Sequence, residues 1–397
     1  MKRNPIKLNN PEKYAKVPVI SEEKIEKAVE QALARLERMG RKNGVSFPGL
    51  ILDSQYKFGP NNNWVHGMYA GCYWLAAKLG GKNFHGVMAK KLSATFEERL
   101  EKRVGVDDHD VGFAFSPSVV ASYKSTGDKK YRKIALDAAE YFYNTSYSHE
   151  GKFIIRSWKW FKKEGAPEAY RTMMDSLMNA PLLYWAAKET GDEKYFKAAH
   201  DHVKTTEECL IRADSSSFHH YQFDTVTSEP LHGVTLQGRS DDSCWSRGHS
   251  WGVYGFPIAY SYDKSDFIKK VHHDITYFML NHLPDDMIPY WDYDFVDGDE
   301  PRDASAGAIS ACGLFEMARM LDEDDPDKVI FQSAAVQLLE ALIDRCTDLD
   351  PRDDGLINHV TAALPQRSGI DQVAVYGDYF YLEALARYIN PDFKMFW

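Results

Sequence analysis

Ser125-Thr126-Gly127-Asp128-Lys129-Lys130-Tyr131 returns further along the chain as Glu189-Thr190-Gly191-Asp192-Glu193-Lys194-Tyr195, and this repeated turn decides the fold. Each glycine suits the left-handed residue that ends a helix, and each aspartate suits the N-cap of the next. Weaker copies stand at Leu79-Gly80-Gly81-Lys82-Asn83-Phe84 and Ser261-Tyr262-Asp263-Lys264-Ser265-Asp266-Phe267, and an acidic turn spans 321–327. Ahead of each turn the chain is apolar nearly all round; behind it, one face is charged. Working outward, Ile25, Val29, Ala32, Leu36 and Met39 fall at three- and four-residue steps in a helix over 22–40. Helices follow over 64–79, 83–102, 308–320, 328–345 and about 378–388. The total is about twelve helices in six hairpins, with strands expected only at 152–155 and 287–293. Apolar inner helices paired with one-faced outer helices are what a closed ring of hairpins requires. An open solenoid would need polar capping helices at both ends, whereas the last helix, Tyr379-Phe380-Tyr381-Leu382-Glu383-Ala384-Leu385, is apolar and aromatic. The sequence therefore predicts an all-α fold, an (α/α)6 toroid. Residues 1–20 form an N-terminal extension and 21–397 a single barrel domain, with the site on a face built by long loops after the inner helices.

Composition narrows the function. Of 397 residues, 44% are hydrophobic and 27% charged, the usage of an ordinary globular protein. Aromatics are in excess at 13%, which fits a large core and a cleft lined by flat apolar faces. The net charge of −10 and the absence of a long basic run argue against duplex nucleic acid and anionic membranes as main partners. Oligomeric state is not legible. No window of about twenty apolar residues would span a bilayer, and the start of the chain lacks the apolar stretch of a signal peptide. Five widely spaced cysteines without a CxxC pair read as reduced thiols, so a cytoplasmic protein is expected.

Four stretches carry more functional groups than helix packing needs. In Asp107-Asp108-His109-Asp110-Val111-Gly112-Phe113, Asp110 is either a helix cap or a site acid. Adjacent acids and one histidine lack the i, i+4 spacing of helical metal ligands, so no metal is expected. Asp175, in the apolar run 171–185, must be paired, protonated or facing a wet cavity, since an unpaired buried carboxylate costs several kcal/mol; a raised pKa would suit it to donate a proton. Around Gln237-Gly238-Arg239-Ser240-Asp241-Asp242-Ser243-Cys244-Trp245-Ser246-Arg247-Gly248-His249-Ser250-Trp251, tryptophans beside an arginine and an amide suit a sugar ring bearing a carboxylate. Core tryptophans, with Arg247 neutralising Asp241 or Asp242, are the structural alternative. The fourth group is a scatter of Trp64, Trp158, Trp160 and Ser217-Phe218-His219-His220-Tyr221. No Walker loop, GxGxxG, GxSxG or HExxH is present, so no cofactor is expected.

Asp108-His109-Asp110-Val111-Gly112-Phe113, Met174-Asp175-Ser176-Leu177-Met178-Asn179-Ala180-Pro181-Leu182-Leu183-Tyr184-Trp185, the run 237–248 and Tyr376-Gly377-Asp378-Tyr379-Phe380-Tyr381-Leu382 together resemble the unsaturated glucuronyl hydrolases, glycoside hydrolase family 88. The likeness runs in order from about Trp64 to Tyr388. It implies an (α/α)6 barrel and a substrate left by polysaccharide lyases, with a 4,5-unsaturated uronic acid at the non-reducing end. Asp110 and Asp175 match the family's catalytic acids. Trp64, His109, Trp160, His219, Gln237, Trp245, Arg247 and Trp251 fall where the pocket is lined, with Trp158 and His220 as close competitors for two of those places. The implied chemistry is hydration of the C4=C5 enol ether, with Asp175 as acid and base, Asp110 orienting ring hydroxyls, Arg247 and Gln237 on the carboxylate or water, and Trp160 stacking on the departing sugar. Members that favour sulfated disaccharides are expected to carry Ser-x-x-Ser-x-Lys before the last helix. Here that loop reads Leu364-Pro365-Gln366-Arg367-Ser368-Gly369-Ile370-Asp371, without that pattern, which leaves unsulfated chondroitin or hyaluronan disaccharides, heparin-derived units and gellan fragments all open as substrates. The alternatives are an unsaturated rhamnogalacturonyl hydrolase acting on pectin fragments, and a carbohydrate-binding toroid without turnover.

Overall fold

The structure is a computed structural model and describes residues 3–49, 51–52 and 55–397. In chain order its helices are α1 Glu22–Asn43, α2 Val65–Lys78, α3 Asn83–Glu101, α4 Val111–Phe115, α5 Ala121–Thr126, α6 Lys129–Ser146, α7 Pro181–Thr190, α8 Glu193–Leu210, α9 Ser246–Tyr262, α10 Asp266–His282, α11 Ala304–Met320, α12 Pro326–Cys346 and α13 Val375–Ile389. A π-helical turn, Ser116–Val120, joins α4 and α5 into one rod. It holds Pro117, which has no N–H to give an α-helical bond and whose ring crowds the preceding turn. Among the described residues this makes twelve rods, six inner (α2, α4–α5, α7, α9, α11, α13) and six outer. Outer helices bury one stripe, such as Tyr131, Ile134, Ala135, Ala138, Ala139 and Phe142 on α6. Inner helices are buried all round, as α13 is from Val375 to Arg387.

The repeated turns do what their residues dictate. Gly127 and Gly191 sit at φ +72° and +74°, and Asp128 and Asp192 accept the backbone N–H of Lys130 and Lys194 at 2.8 and 3.1 Å. These tight turns join inner helices to outer ones. The long connections therefore follow the outer helices and lead into the inner ones, the reverse of the expected order, and the site-bearing face lies at the inner helices' N-terminal ends. Each inner helix packs on the next and α13 returns to α2, closing the (α/α)6 toroid. Closure needs backbones in contact. At Gly313 on α11 an added Cβ would stand 2.3 Å from the Val253 carbonyl oxygen and 2.7 Å from Tyr254 Cα on α9.

At the short-turn end the interior is filled by a buried polar cluster. The Arg387 guanidinium pairs with Glu316 at 2.5 Å and Glu383 at 2.9 Å, while Trp397 donates to Glu383 at 3.1 Å and stacks on Phe380. Residues 3–20 run as a strap outside the barrel. Arg3 pairs with Glu207 on α8 and Asp274 on α10, the carbonyls of Lys13 and Lys16 accept from Gln337 and Ser333 on α12, and Ile20 N–H donates to Tyr388 on α13.

Strand expectations fared less well. Phe153–Ile154 is a strand, but 287–293 contributes only single bridges, Tyr290 to Arg302 and Asp292 to Trp245. Arg171–Met173, His220–Phe223 and Pro230–Val234 instead form a three-stranded antiparallel sheet over the site face. Segments of three to five residues are too short to show alternation. The last helix also begins earlier than expected, at Val375.

The glycine contact is testable. Gly313→Ala should lower the urea midpoint by an amount equivalent to about 1–3 kcal/mol. Gly86→Ala on α3, where a Cβ meets nothing within 4 Å, should raise it by about 0.5–1 kcal/mol.

Candidate active site

Two carboxylates reach the mouth of the ring on neighbouring inner segments. Asp110 stands at the N-cap position of α4, but its side chain makes no capping bond. Its backbone N–H is held by Asp108 Oδ1 at 3.0 Å, so the carboxylate is left to the site. Asp175 is not inside the inner helix, as its apolar surroundings suggested. It lies in one 3₁₀ turn, Met174–Met178, between the strand Arg171–Met173 and α7, whose start is set by Pro181 in the first turn. Buried Asn179 clamps the two segments together. Its Oδ1 accepts from Phe113 N at 2.7 Å and its Nδ2 donates to the Asp175 carbonyl at 3.3 Å. The approach depends on Gly112, where a Cβ would fall 2.4 Å from Asn179 Cα.

His109 sits between the acids. Its Nδ1 lies 2.9 Å from the Arg156 carbonyl oxygen, a bond it makes as donor. Its Nε2 is 3.2 Å from Asp110 Oδ1 and 3.6 Å from Asp175 Oδ2 without hydrogen-bond alignment to either, so the contacts are charge pairs. Burial alone would lower the His109 pKa, but the two carboxylates override it and lift it to about 10. Burial pushes Asp110 up to about 7, with Asp108 and Asp175 adding to the rise and His109 opposing it. Asp175 is also buried, yet the His109 charge holds its pKa below the ordinary value. The expected raised carboxyl at Asp175 is therefore corrected: of the two acids it is Asp110 that burial raises, while the charge on His109 holds Asp175 down. Asp175 Oδ1 has no hydrogen-bond partner.

Asp175, Trp64, Gln237, Trp245, Arg247 and Trp251 line one cavity of about 350 Å³, together with Tyr376 and the loop residues Ala362, Ala363, Gln366 and Ser368. Trp64 stacks on Tyr376 at 5.6 Å and 14°. Trp251 forms a buried wall against Phe113 and Phe380. Arg247 does not pair with Asp241 or Asp242. It pairs with Asp303 at 2.7 Å and donates to the Thr361 and Ala362 carbonyls, so three of its five N–H groups are engaged and two remain. The Gln237 amide also donates to the Ala362 carbonyl, at 2.8 Å. His219 packs on Trp245 at 4.3 Å, and its Nδ1 accepts from Leu236 N, which places the proton on Nε2. Burial lowers its pKa to about 3, so it is neutral. Trp160 is 43% exposed at the rim, while Trp158 is buried against Tyr141 and His220 is buried behind His219. The exposed tryptophan is thus Trp160.

Asp108, His109 and Asp110 each bring one potential ligand atom within 4.8 Å of the others. Three successive residues on a turn are close by covalent geometry, and Asp108 is already accepting from Asp110. Tyr376, Asn179 and Arg156 were not singled out from the sequence. Tyr376 opens an aromatic run that reads as core, and Asn179 is a lone amide in an apolar stretch. Arg156 lies in a loop without any pattern.

A helical toroid with two histidine-linked carboxylates beside an aromatic cleft is the frame of a carbohydrate-cleaving hydrolase. The chain belongs to Glycosyl Hydrolase Family 88, whose family model matches residues 50–382. It is 38% identical to the unsaturated chondroitin disaccharide hydrolase of Streptococcus pneumoniae (strain ATCC BAA-255 / R6) over 98% of both chains. It is 36% identical to the unsaturated glucuronyl hydrolase of Bacillus sp. (strain GL1), over 91% of this chain and 96% of that one. The solved unsaturated glucuronyl hydrolase of Streptococcus agalactiae superposes with a TM-score of 0.94 at 35% identity, covering 100% of both chains.

Nuclear magnetic resonance of the imidazoles should find His109 still protonated at pH 8 and titrating near 10. Asp110→Asn removes a neighbouring negative charge and should lower that value. Asn179→Ala, which loosens the clamp and leaves the buried Phe113 N–H without its acceptor, should cut kcat by more than tenfold and lower stability by about 1–3 kcal/mol, as read by turnover of the folded protein alongside thermal melting.

Proposed function

We propose that the cavity receives the unsaturated uronic acid end of an oligosaccharide left by a polysaccharide lyase, and that Asp175 and Asp110 act there as the working acids. Release of such an end from glycosaminoglycan oligosaccharides is the reaction of this hydrolase. Chondroitin and hyaluronan disaccharides are the substrates we favour, in keeping with the names of the relatives. The observation that carries the site assignment is the free Oδ1 of Asp175 in a tryptophan-walled cavity, with the protonated His109 Nε2 3.6 Å from the other oxygen.

The chemistry follows from that arrangement. The substrate brings its own carboxylate, whose negative charge and displacement of water raise the proton affinity of Asp175. His109 Nε2–H supplies the proton to Asp175, which passes it to C4 of the enol ether. Cationic character then develops at C5 and the ring oxygen, and the nearby carboxylates stabilise it. Asp175, again a carboxylate, takes a proton from the water that adds at C5. The resulting hemiketal opens and expels the next sugar, so no displacement at the anomeric carbon is needed. Asp110 accepts from the ring hydroxyls, the two free donors of Arg247 and the Gln237 amide hold the carboxylate, His219 closes the Trp245 wall, Trp64 and Trp251 enclose the ring, and Trp160 stacks on the departing sugar.

Among the described residues no helix is long and apolar enough to cross a membrane, and all five cysteines are unpaired. We place the protein in the cytoplasm on that thiol chemistry, and take 21–397 as one catalytic domain with 1–20 as an N-terminal extension.

Mixing the protein with an unsulfated unsaturated chondroitin disaccharide should abolish the ultraviolet absorbance of the conjugated alkene and release the amino sugar. Asp175→Asn should slow this by about 10²–10⁴-fold while the disaccharide still binds. Loss of binding in Asp175→Asn or Asp110→Asn, with no product from the unaltered protein, would instead mark a sugar-binding toroid. Because Asp110 titrates near 7 and its ionisation tightens the hold on the His109 proton, kcat/KM should fall as pH rises through that value.

A further inference from the structure

Two arginines beside the site have no counter-ion. Arg156 follows the strand Phe153–Ile154, and Arg171 opens the strand Arg171–Met173; the Arg156 N–H donates to the Arg171 carbonyl at 2.8 Å, which sets the two side by side. Among the described residues neither guanidinium makes an ion pair or a side-chain hydrogen bond, and the Nε of each is buried without a partner. Both residues are half-buried, whereas the fully buried arginines are satisfied: Arg99 donates to the carbonyls of Val104, Gly105 and Asn63 and to the Asn61 side chain, and Arg387 pairs with two glutamates. Glu168 is near enough to favour the charge on Arg171 but lies outside pairing distance. Burial and the Arg156 charge together lower the Arg171 pKa to about 10.

The surroundings are built to receive something. His220, whose strand pairs Met173 with His220 and Arg171 with Gln222, is 1% exposed and leaves both ring nitrogens without partners. The Arg156 guanidinium lies 4.5 Å from the centre of the exposed Trp160 ring. Its charge acts on Asp110, Asp175 and His219, so the pair flanks the acids on the Trp160 side, while Trp64, Trp245 and Arg247 wall the cavity holding Asp175. Two adjacent cations without a carboxylate are costly to keep, and planar guanidinium forks match an oxyanion with two parallel bonds.

We propose that Arg156 and Arg171, with Trp160 as platform, form an oxyanion subsite for an acidic substituent on the leaving portion of the oligosaccharide. The assignment rests on the acidic-oligosaccharide reading above. The oxyanion is either a sulfate ester on the leaving sugar or the carboxylate of the next uronate.

Kinetics separate these sources. Unsaturated disaccharides with and without sulfate on the leaving sugar, and an unsulfated tetrasaccharide, are compared with the unaltered protein, Arg171→Gln and Arg156→Gln. At least one substrate with the added oxyanion should exceed the unsulfated disaccharide in kcat/KM by about tenfold, and either variant should erase that ratio. A higher rate with the sulfated disaccharide assigns sulfate; a higher rate with the tetrasaccharide alone assigns the carboxylate. With sugars that are consumed, an absent ratio, or one that survives both variants, overturns the subsite. Inorganic sulfate provides a readout independent of turnover. Against chloride of equal ionic strength it should raise the melting temperature of the unaltered protein more than that of Arg171→Gln, with Arg171→Lys between them. Equal shifts in all three overturn the subsite even if catalysis is as proposed, and unequal shifts uphold it even if none of the sugars is consumed. Arg171→Gln, which removes an unpaired charge, should melt no lower than the unaltered protein, so loss of fold does not confound the comparison.

Discussion

Backbone contact between neighbouring inner helices governs this protein. Where α9 meets α11 at Gly313, and where α4 meets the turn before α7 at Gly112, there is no room for a Cβ, and the second of these contacts also sets the spacing of the two acids. Asn179 converts that contact into a fixed geometry by bonding one segment at Phe113 N–H and the other at the Asp175 carbonyl. The acids are therefore positioned by main chain rather than by long side chains, which leaves their carboxylates free for chemistry. The tight Gly-Asp turns at the far end serve the same purpose, because they put all long connections on the side where the acids emerge.

Electrostatics at the mouth show how a buried site keeps a supply of protons. Three ionisable groups share one corner, and burial opposes the charge on each. The compromise is an imidazolium held between two carboxylates, with the lower-pKa acid facing the cavity. In the proposed reaction a carboxylate of that kind is a good acceptor for the water-adding half, and the adjacent imidazolium covers the donating half. Arg247, balanced by Asp303, adds donors to the cavity without adding net charge.

Legibility in the sequence followed the length scale of each feature. Helix number, ring closure and the Gly-Asp caps were readable because they repeat and because α13 is too apolar to face water. The acids, tryptophans and Arg247 were readable from dense motifs. The three-stranded sheet was missed because its strands span three to five residues. Asp175's placement in a 3₁₀ turn and its low proton affinity were missed for a different reason: both depend on His109, a neighbour remote in sequence. Arg156 holds His109 through its backbone carbonyl, and the Asn179 side chain bonds backbone groups of two segments, contacts that leave no trace in residue pattern.

The strap of residues 3–20 bears on how the chain reaches this state during synthesis. Arg3 closes on Glu207 and Asp274, and Ile20 on Tyr388, separations of 204, 271 and 368 residues. Early-made segments must wait on the ribosome for partners translated much later, and α2 waits likewise for α13. Loop closures of that size slow folding and leave apolar inner helices uncovered in the interval. A cell making this protein would be expected to shelter the nascent chain with chaperones until the final helix is released.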